Sequence, residues 1–324
     1  MTTYPESGPQ DSTLEFARQQ RLAGKLSREE YWKIVRLKLE VLSELQTVAL
    51  RENLTLKMEP DNIQLEIPLE SFNSRILMTL DVRDVRSVPF SVLADGPYEK
   101  FQGRILLELA EESKEFFDIG ANMGYYSLAA PKVNSTIKVH AFEPQPNVYS
   151  ALVRNVSLNS LNGRVQLHNL GLGSKESITT MFIPPFTGSG GGSLANLHQD
   201  EGSPQEVEVQ VKVLDEYLGS VCNPDLIKID VEGYEYEVVS GAMRLINQSK
   251  PTIIIELLRK WMKPFGKHPQ DVVKLLEQEG YQIFAISTDS LIPIAHIGEE
   301  TTETNFVFVH SNNLIHMAKI NKYL

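Results

Sequence analysis

Residues 118–124 read DIGANMG, and residues 226–235 read LIKIDVEGYE. The two stretches share one design, and that design decides the fold. Each closes a short apolar run on an acid, Asp118 in the first and Asp230 in the second. Each then meets glycine and passes into a helical pattern. A strand that delivers a carboxylate to a tight turn before a helix is half of a strand–helix–strand unit. Outward from these stretches the alternation continues. EFFDI (115–119), IKVHAFE (137–143), RVQLHNL (164–170), PTIIIE (251–256), YQIFAIS (281–287) and TNFVFVH (304–310) read as strands. YYSLAA, PNVYSALVRNVSLN, YEYEVVSGAMRLINQS and HPQDVVKLLEQEG read as helices, the first stopped by Pro131. SITTMFI (177–183) and EVEVQVKV (206–213) read as a hairpin pair, followed by a helical turn LDEYLG. Alternation of this kind predicts an α/β, Rossmann-like, mostly parallel sheet covered on both faces. Ligands of such sheets bind at the carboxyl ends of the strands.

The leader has another texture. Residues 1–11 are polar and are expected to form a disordered tail without a secretory signal core. Residues 12–100 read as a helical and small-sheet appendage, and 101–324 as the main domain. Ser27 and Glu30 have the spacing of a capping box. Behind them Ile34, Leu37, Val41, Leu45 and Val48 form one helix face. That face is expected to pack on its own domain; a contact between copies in a homo-oligomer is the sharper alternative. LTLKMEPDNIQLEIPLE (54–70) reads as two strands about a turn at 60–62, with RILMTLDV (75–82) and VPFSVL (88–93) extending the sheet.

Composition sets the outer limits. The chain has 324 residues, 42% hydrophobic and 23% charged, which is ordinary for a globular protein. A net charge of −11 disfavours nucleic acid as a partner. Cys222 is the lone cysteine. No internal disulfide can form, and a reducing, cytoplasmic setting is expected. No run reaches the roughly 18 apolar residues that a membrane span needs.

The turn after Asp118 suits a nucleoside-containing cofactor. Gly120 permits a tight turn and a close backbone approach, and Gly124 lets the next helix pack near the strand. Glu143, ending the second strand, stands where a carboxylate accepts hydrogen bonds from ribose hydroxyls. A dinucleotide site carries a middle glycine for the pyrophosphate. Here there is none, and Asp118 would repel one. S-adenosylmethionine has a ribose, a sulfonium and an ammonium but no phosphate, so it fits better. Asp230 and Glu232 flank Val231 at a strand tip, and Glu256 ends the next strand. Clustered carboxylates raise one another's pKa, which makes one a candidate general base. Their oxygens would also suit a divalent cation such as magnesium. No His/Cys group has zinc spacing. His140 and His168, inside strands, read as core or edge residues, and His268 as a helix cap.

The order DIGANMG, FEP, GLGS, VKVLDEYL, LIKIDVEGYE and PTIIIE resembles the FkbM-type S-adenosylmethionine-dependent methyltransferases over about residues 114–287. The resemblance implies a class I methyltransferase fold, seven strands with the last antiparallel. It implies methylation of hydroxyl oxygens on natural products, sugars or other small molecules. It places Asp118, Gly120, Asn122, Gly124, Glu143 and Asn169 at the cofactor and Asp230, Glu232 and Glu256 around the acceptor. Gly171 departs from the alanine expected there. The glycine-rich loop 184–206 is expected to be a flap over the substrate. A nicotinamide-dependent oxidoreductase, an N-methyltransferase and a non-catalytic binding module remain as alternatives. Against amino methylation stands DVEG, where an Asn/Asp-Pro-Pro-Tyr/Phe tetrapeptide would be expected.

Overall fold

A computed structural model describes residues 14–59, 62–81, 84, 86–185, 190–198, 202–218 and 222–324. The expected tail, part of the 60–62 turn and parts of loop 184–206 lie outside these residues. The chain parts into two compact units, Met1–Leu56 and Lys57–Leu324. The division falls inside strand Thr55–Met58, and the strands Ile63–Pro68 and Arg75–Leu80 of the small sheet lie in the larger unit.

In the first unit, helices Leu14–Leu22 and Arg28–Arg51 follow one another. The capping box forms as read. The Ser27 Oγ accepts from the Glu30 N–H at 3.1 Å, and the Glu30 carboxylate accepts from the Ser27 N–H at 2.8 Å. Of the expected face, Ile34, Leu45 and Val48 are half-buried, whereas Leu37 and Val41 are exposed.

The second unit is built on seven strands: β1 (Glu115–Ile119), β2 (Lys138–Phe142), β3 (Val165–His168), β4 (Leu226–Ile229), β5 (Thr252–Glu256), β6 (Tyr281–Ile286) and β7 (Asn305–His310). Their order is β3-β2-β1-β4-β5-β7-β6, with Leu291–Ile294 as an eighth strand beyond β6. The first five pair in parallel, and β7 runs antiparallel to both β5 and β6. This is the class I methyltransferase arrangement. Strands β4 and β5 are covered on both faces, which is why they read as unbroken apolar runs. Order reverses between β1 and β4, so the two motif turns stand side by side. Ser177–Ile183 and Gln205–Lys212 pair as the expected hairpin.

Three local readings need correction. VPFSVL is not a strand but part of helix Val88–Asp95. Pro89 sits in its first turn, where a missing N–H costs nothing. Helix Tyr125–Val133 runs two residues past Pro131. The proline falls in the last turn, so little of the helix is left for it to disrupt. The helix expected over 234–249 is two, Glu235–Ser240 and Met243–Ser249. It breaks at Gly241, where a Cβ would meet the Gly173 carbonyl oxygen at 2.0 Å.

Two asparagines fasten the small sheet to helix Pro146–Leu158 and the first motif turn. Ile63–Pro68 and Arg75–Leu80 form an antiparallel pair. On Arg75–Leu80, Leu77 exchanges two hydrogen bonds with the Asn159 amide, at 3.0 and 2.7 Å. Thr79 donates its N–H to Asn155 Oδ1 at 2.9 Å. Asn155 Nδ2 donates in turn to the carbonyl of Met123, inside the first motif turn, at 2.9 Å. Side-chain amides here do the work of a neighbouring strand, satisfying backbone groups that would otherwise be buried unpaired.

Gly120 adopts φ +80°, and a Cβ there would lie 1.8 Å from the Asp230 carbonyl oxygen. The glycine makes room for the tip of β4. Gly120→Ala should lose more than about 2 kcal/mol, combining a disfavoured φ with a backbone clash. Gly163→Ala, with nothing within 4 Å, is the control. It should shift stability by less than about 0.5 kcal/mol. Urea unfolding of both variants measures the difference.

Candidate active site

A cavity of about 310 Å³ opens at the carboxyl ends of β1, β2 and β4. Asp118, Gly120 and Asn122 reach it from the first turn, Glu143 from the second strand, and Asp230 and Glu232 from the fourth. Three residues expected at the site do not line it. Gly124, at φ +95°, gives up its side chain to helix packing, since a Cβ would sit 2.4 Å from Leu152 Cδ1. Asn169 Nδ2 donates to the carbonyls of Glu143 and Pro144, at 2.8 and 3.2 Å, and so shapes the turn behind the cavity. Glu256 stands just outside it.

Glu143 holds the first motif turn in place. One carboxylate oxygen accepts the Asn122 N–H at 3.0 Å and the other accepts the Gln145 N–H at 2.8 Å. Asn122 is itself in a left-handed conformation, φ 51°, and its side-chain oxygen accepts the Met123 N–H at 2.7 Å. Burial raises the Glu143 pKa to about 7, against the pull of these two N–H groups. Asp118 is fully buried, and its Oδ2 accepts from Ser127 Oγ at 2.6 Å. Burial raises its pKa, while Lys228 and Ser127 act the other way.

Lys228 is the residue that the sequence reading missed. It sits in the middle of β4 with only 4% of its surface exposed. Its Nζ lies 2.8 Å from Asp230 Oδ2 and stands over the Tyr126 ring, 5.4 Å from the centroid. Burial alone would lower its pKa, but Asp230, Glu99 and Asp118 together hold it above the ordinary value. Glu99, also missed, accepts from Tyr126 Oη at 2.6 Å and from Gln102 Nε2 at 2.9 Å. A signal for Lys228 was present: LIKI is otherwise fully apolar, and a buried cation demands an anion.

The three acids at the strand tips form one electrostatic group. Glu232 takes a left-handed φ of 56°, and its carbonyl accepts from Ser193 Oγ at 2.7 Å. Its Oε2 is buried and has no hydrogen-bond partner among the described residues. Burial, then the charges of Asp230 and Glu235, push the Glu232 pKa up to about 8. Burial, then Asp230 and Glu232, push Glu256 up to about 9. Glu235 has a separate task. Its Oε1 accepts from the N–H groups of Gly233 (2.9 Å) and Val231 (3.4 Å), closing the turn of the second motif. From the glycine-rich loop, Gly190–Leu194 line the cavity, and a bridge between Phe182 and Ser193 fixes that segment.

The Methyltransferase FkbM domain family matches residues 118–283. The chain belongs to this family. It is 32% identical over 176 residues to a hexuronic acid methyltransferase, AglP, of Haloferax volcanii, a match covering 54% of this chain and 66% of that protein. It is 29% identical over 152 residues to the 31-O-demethyl-FK506 methyltransferase FkbM of Streptomyces tacrolimicus, covering 39% and 58%. The chain thus spans less than two thirds of the length of either relative. A crystal structure of a methyltransferase FkbM from Methylobacillus flagellatus aligns at 20% identity with a TM-score of 0.39, over 61% of this chain and 44% of that one.

The cavity suits the cofactor that the family implies. Asp118, Glu143, Asp230 and Glu232 line its walls with carboxyl oxygens, which suit hydroxyl and ammonium donors better than a diphosphate. A Cβ at Gly171 would meet nothing closer than 3.6 Å, so the alanine expected there would also fit. Among the described residues no helix is long and apolar enough to cross a membrane.

The raised pKa of Glu256 carries a consequence for stability. Unfolded, the carboxyl ionises near its ordinary 4.5; folded, it does so only at about 9. Its contribution to stability is complete below the unfolded value and is lost as the pH rises towards the folded one. Glu256→Gln should therefore melt higher than the parent protein at about pH 9, by a margin that shrinks towards about pH 5. Thermal unfolding across that range tests the sign.

Proposed function

We propose that this chain methylates a hydroxyl oxygen of a sugar or another small molecule, using S-adenosylmethionine. The observation that carries the reading is the buried, unpartnered Glu232 Oε2, which stands in the same cavity as the clamped carboxylate of Glu143. When bound, the cofactor supplies an electrophilic methyl group on a sulfonium. Glu143 spends two of its roughly four acceptor positions on Asn122 and Gln145, leaving the rest for ribose hydroxyls. Asp118, held by Ser127, presents its carboxyl group to the cationic end of the cofactor. Glu232 is the base that takes the acceptor's proton. Burial, then Asp230 and Glu235, raise its proton affinity, and Lys228 limits that rise. Tyr98, Tyr125 and Trp261 wall the cavity and help to exclude water.

The relatives support an oxygen acceptor: one is named for hexuronic acid, the other for a 31-O-demethyl position. The surplus of carboxylates weighs against a nicotinamide dinucleotide. A magnesium ion is not part of the proposal, because Lys228 already supplies the positive charge at Asp230. Asn122 and Asn169 act on the cofactor through the turns they shape.

Calorimetry should show S-adenosylmethionine and S-adenosylhomocysteine binding more tightly than NAD; the reverse order overturns the class. Glu143→Gln should weaken S-adenosylhomocysteine by about 1.5–3 kcal/mol, the worth of hydrogen bonds to a charged group. Glu232→Gln should slow turnover by about 10²–10⁴ with S-adenosylhomocysteine affinity unchanged. In the parent protein, turnover should rise with pH and level off above about 8, once Glu232 is ionised. Normal turnover in Glu232→Gln would remove the acid from its assigned role.

A further inference from the structure

At the amino ends of β1 and β4, away from the cavity, three chemically different donors meet. Glu115 opens β1, His140 lies in the middle of β2, and Cys222 precedes β4. His140 Nε2 is 3.2 Å from Glu115 Oε1 and 3.9 Å from Cys222 Sγ. All three donor atoms lie within 4.8 Å of one another. Tetrahedral zinc, with bonds of about 2.3 Å to sulfur and about 2.0–2.2 Å to nitrogen and oxygen, sets its ligand atoms roughly 3.3–3.6 Å apart. The His140–Glu115 pair already has that spacing, and Cys222 Sγ stands a few tenths of an ångström beyond it from His140.

The surroundings are arranged for such a site. The second oxygen of Glu115 accepts the Asn223 N–H at 2.7 Å, which orients the carboxylate. Asp225 ties the same segment to β1, accepting the N–H groups of Lys114 (2.7 Å) and Glu115 (3.1 Å). His140 Nδ1 faces His168 Nε2 at 3.1 Å, and His168 Nδ1 faces Tyr217 Oη at 3.1 Å. With protons on both Nδ1 atoms, each ring donates onward, and His140 Nε2 turns a lone pair towards Glu115 and Cys222. A metal-bound histidine is normally held in this way by a partner on its other nitrogen. A thiolate and a carboxylate would balance a divalent charge, and sulfur with imidazole selects zinc-like ions over magnesium.

We propose that Glu115, His140 and Cys222 bind one divalent transition-metal ion of the zinc class, pinning the segment before β4 to the neighbouring strands. The competing arrangement is the other tautomer, in which His140 Nε2–H simply donates to Glu115. Cobalt(II) separates the two. Chelator-treated protein titrated with cobalt should take up one ion with a thiolate-to-cobalt charge-transfer absorption, and zinc should displace it. Cys222 is the lone cysteine, so that absorption can arise from no other residue. Cobalt held by the acids of the cavity would lack it. Cys222→Ser should abolish the absorption, and His168→Phe, which removes the positioning partner, should weaken cobalt by about 10–100-fold. Absence of the absorption overturns the proposal. So does an absorption whose cobalt affinity is unchanged in His140→Gln, since a thiol acting alone would behave that way.

Discussion

A buried ammonium governs the catalytic edge of this sheet. Taking a lysine out of water costs several kcal/mol unless anions repay it. Lys228 is flanked by β1 and β5, its backbone in register with Asp118 and Ile254. Its charge is answered by Asp230, Glu99 and Asp118, which come from three separate parts of the chain. The dependence runs both ways. Without the lysine, acids at neighbouring strand tips would face only one another. With it, the rise in their proton affinity is limited, since Lys228 opposes the shift at both Glu232 and Glu256.

The fold was legible because its signal is repetitive. Seven short apolar runs, each closed by a turn and most followed by a helix, leave few topologies open. The acids at the strand tips were legible for a similar reason, since an apolar run that ends on a carboxylate points it at the sheet edge. What stayed hidden depended on distant partners. Lys228 lay inside a run read as a strand, and nothing local announced that Glu99 and Tyr126 would come to meet it. VPFSVL and the break at Gly241 turned on tertiary packing, as did the placing of Glu256 outside the cavity wall. The close approach of Gly120 to the Asp230 carbonyl was also hidden, because the two are 110 residues apart in sequence.

The turns of the two motifs are held by different chemistry, which divides their tasks. The first is fixed by Glu143 below and by Asn155 beside it, and Asn155 is also the tie to the small sheet. A disturbance of that sheet would therefore reach the cofactor turn through one amide. The second turn is closed by Glu235, which spends one oxygen on Gly233 and Val231. Glu232 is thereby released from capping. The bland account of acids at a helix start belongs to Glu235, and it is this neighbour that frees Glu232 to face the cavity.

The two ends of the sheet also differ in the cations they suit. The carboxyl end offers hard oxygen donors, and a lysine already lies 2.8 Å from the most central of them. A divalent ion there would have to compete with a fixed ammonium and then share its ligands with a cationic cofactor. The amino end offers sulfur, imidazole and one oriented carboxylate, and the imidazole has a second histidine against its other nitrogen. The two proposed sites thus take two kinds of positive charge along one sheet: an organic cation at the oxygen-rich edge and a zinc-class ion at the opposite one. Neither site intrudes on the other's chemistry, because β1 and β4 connect them only through buried apolar side chains and the paired charge of Lys228.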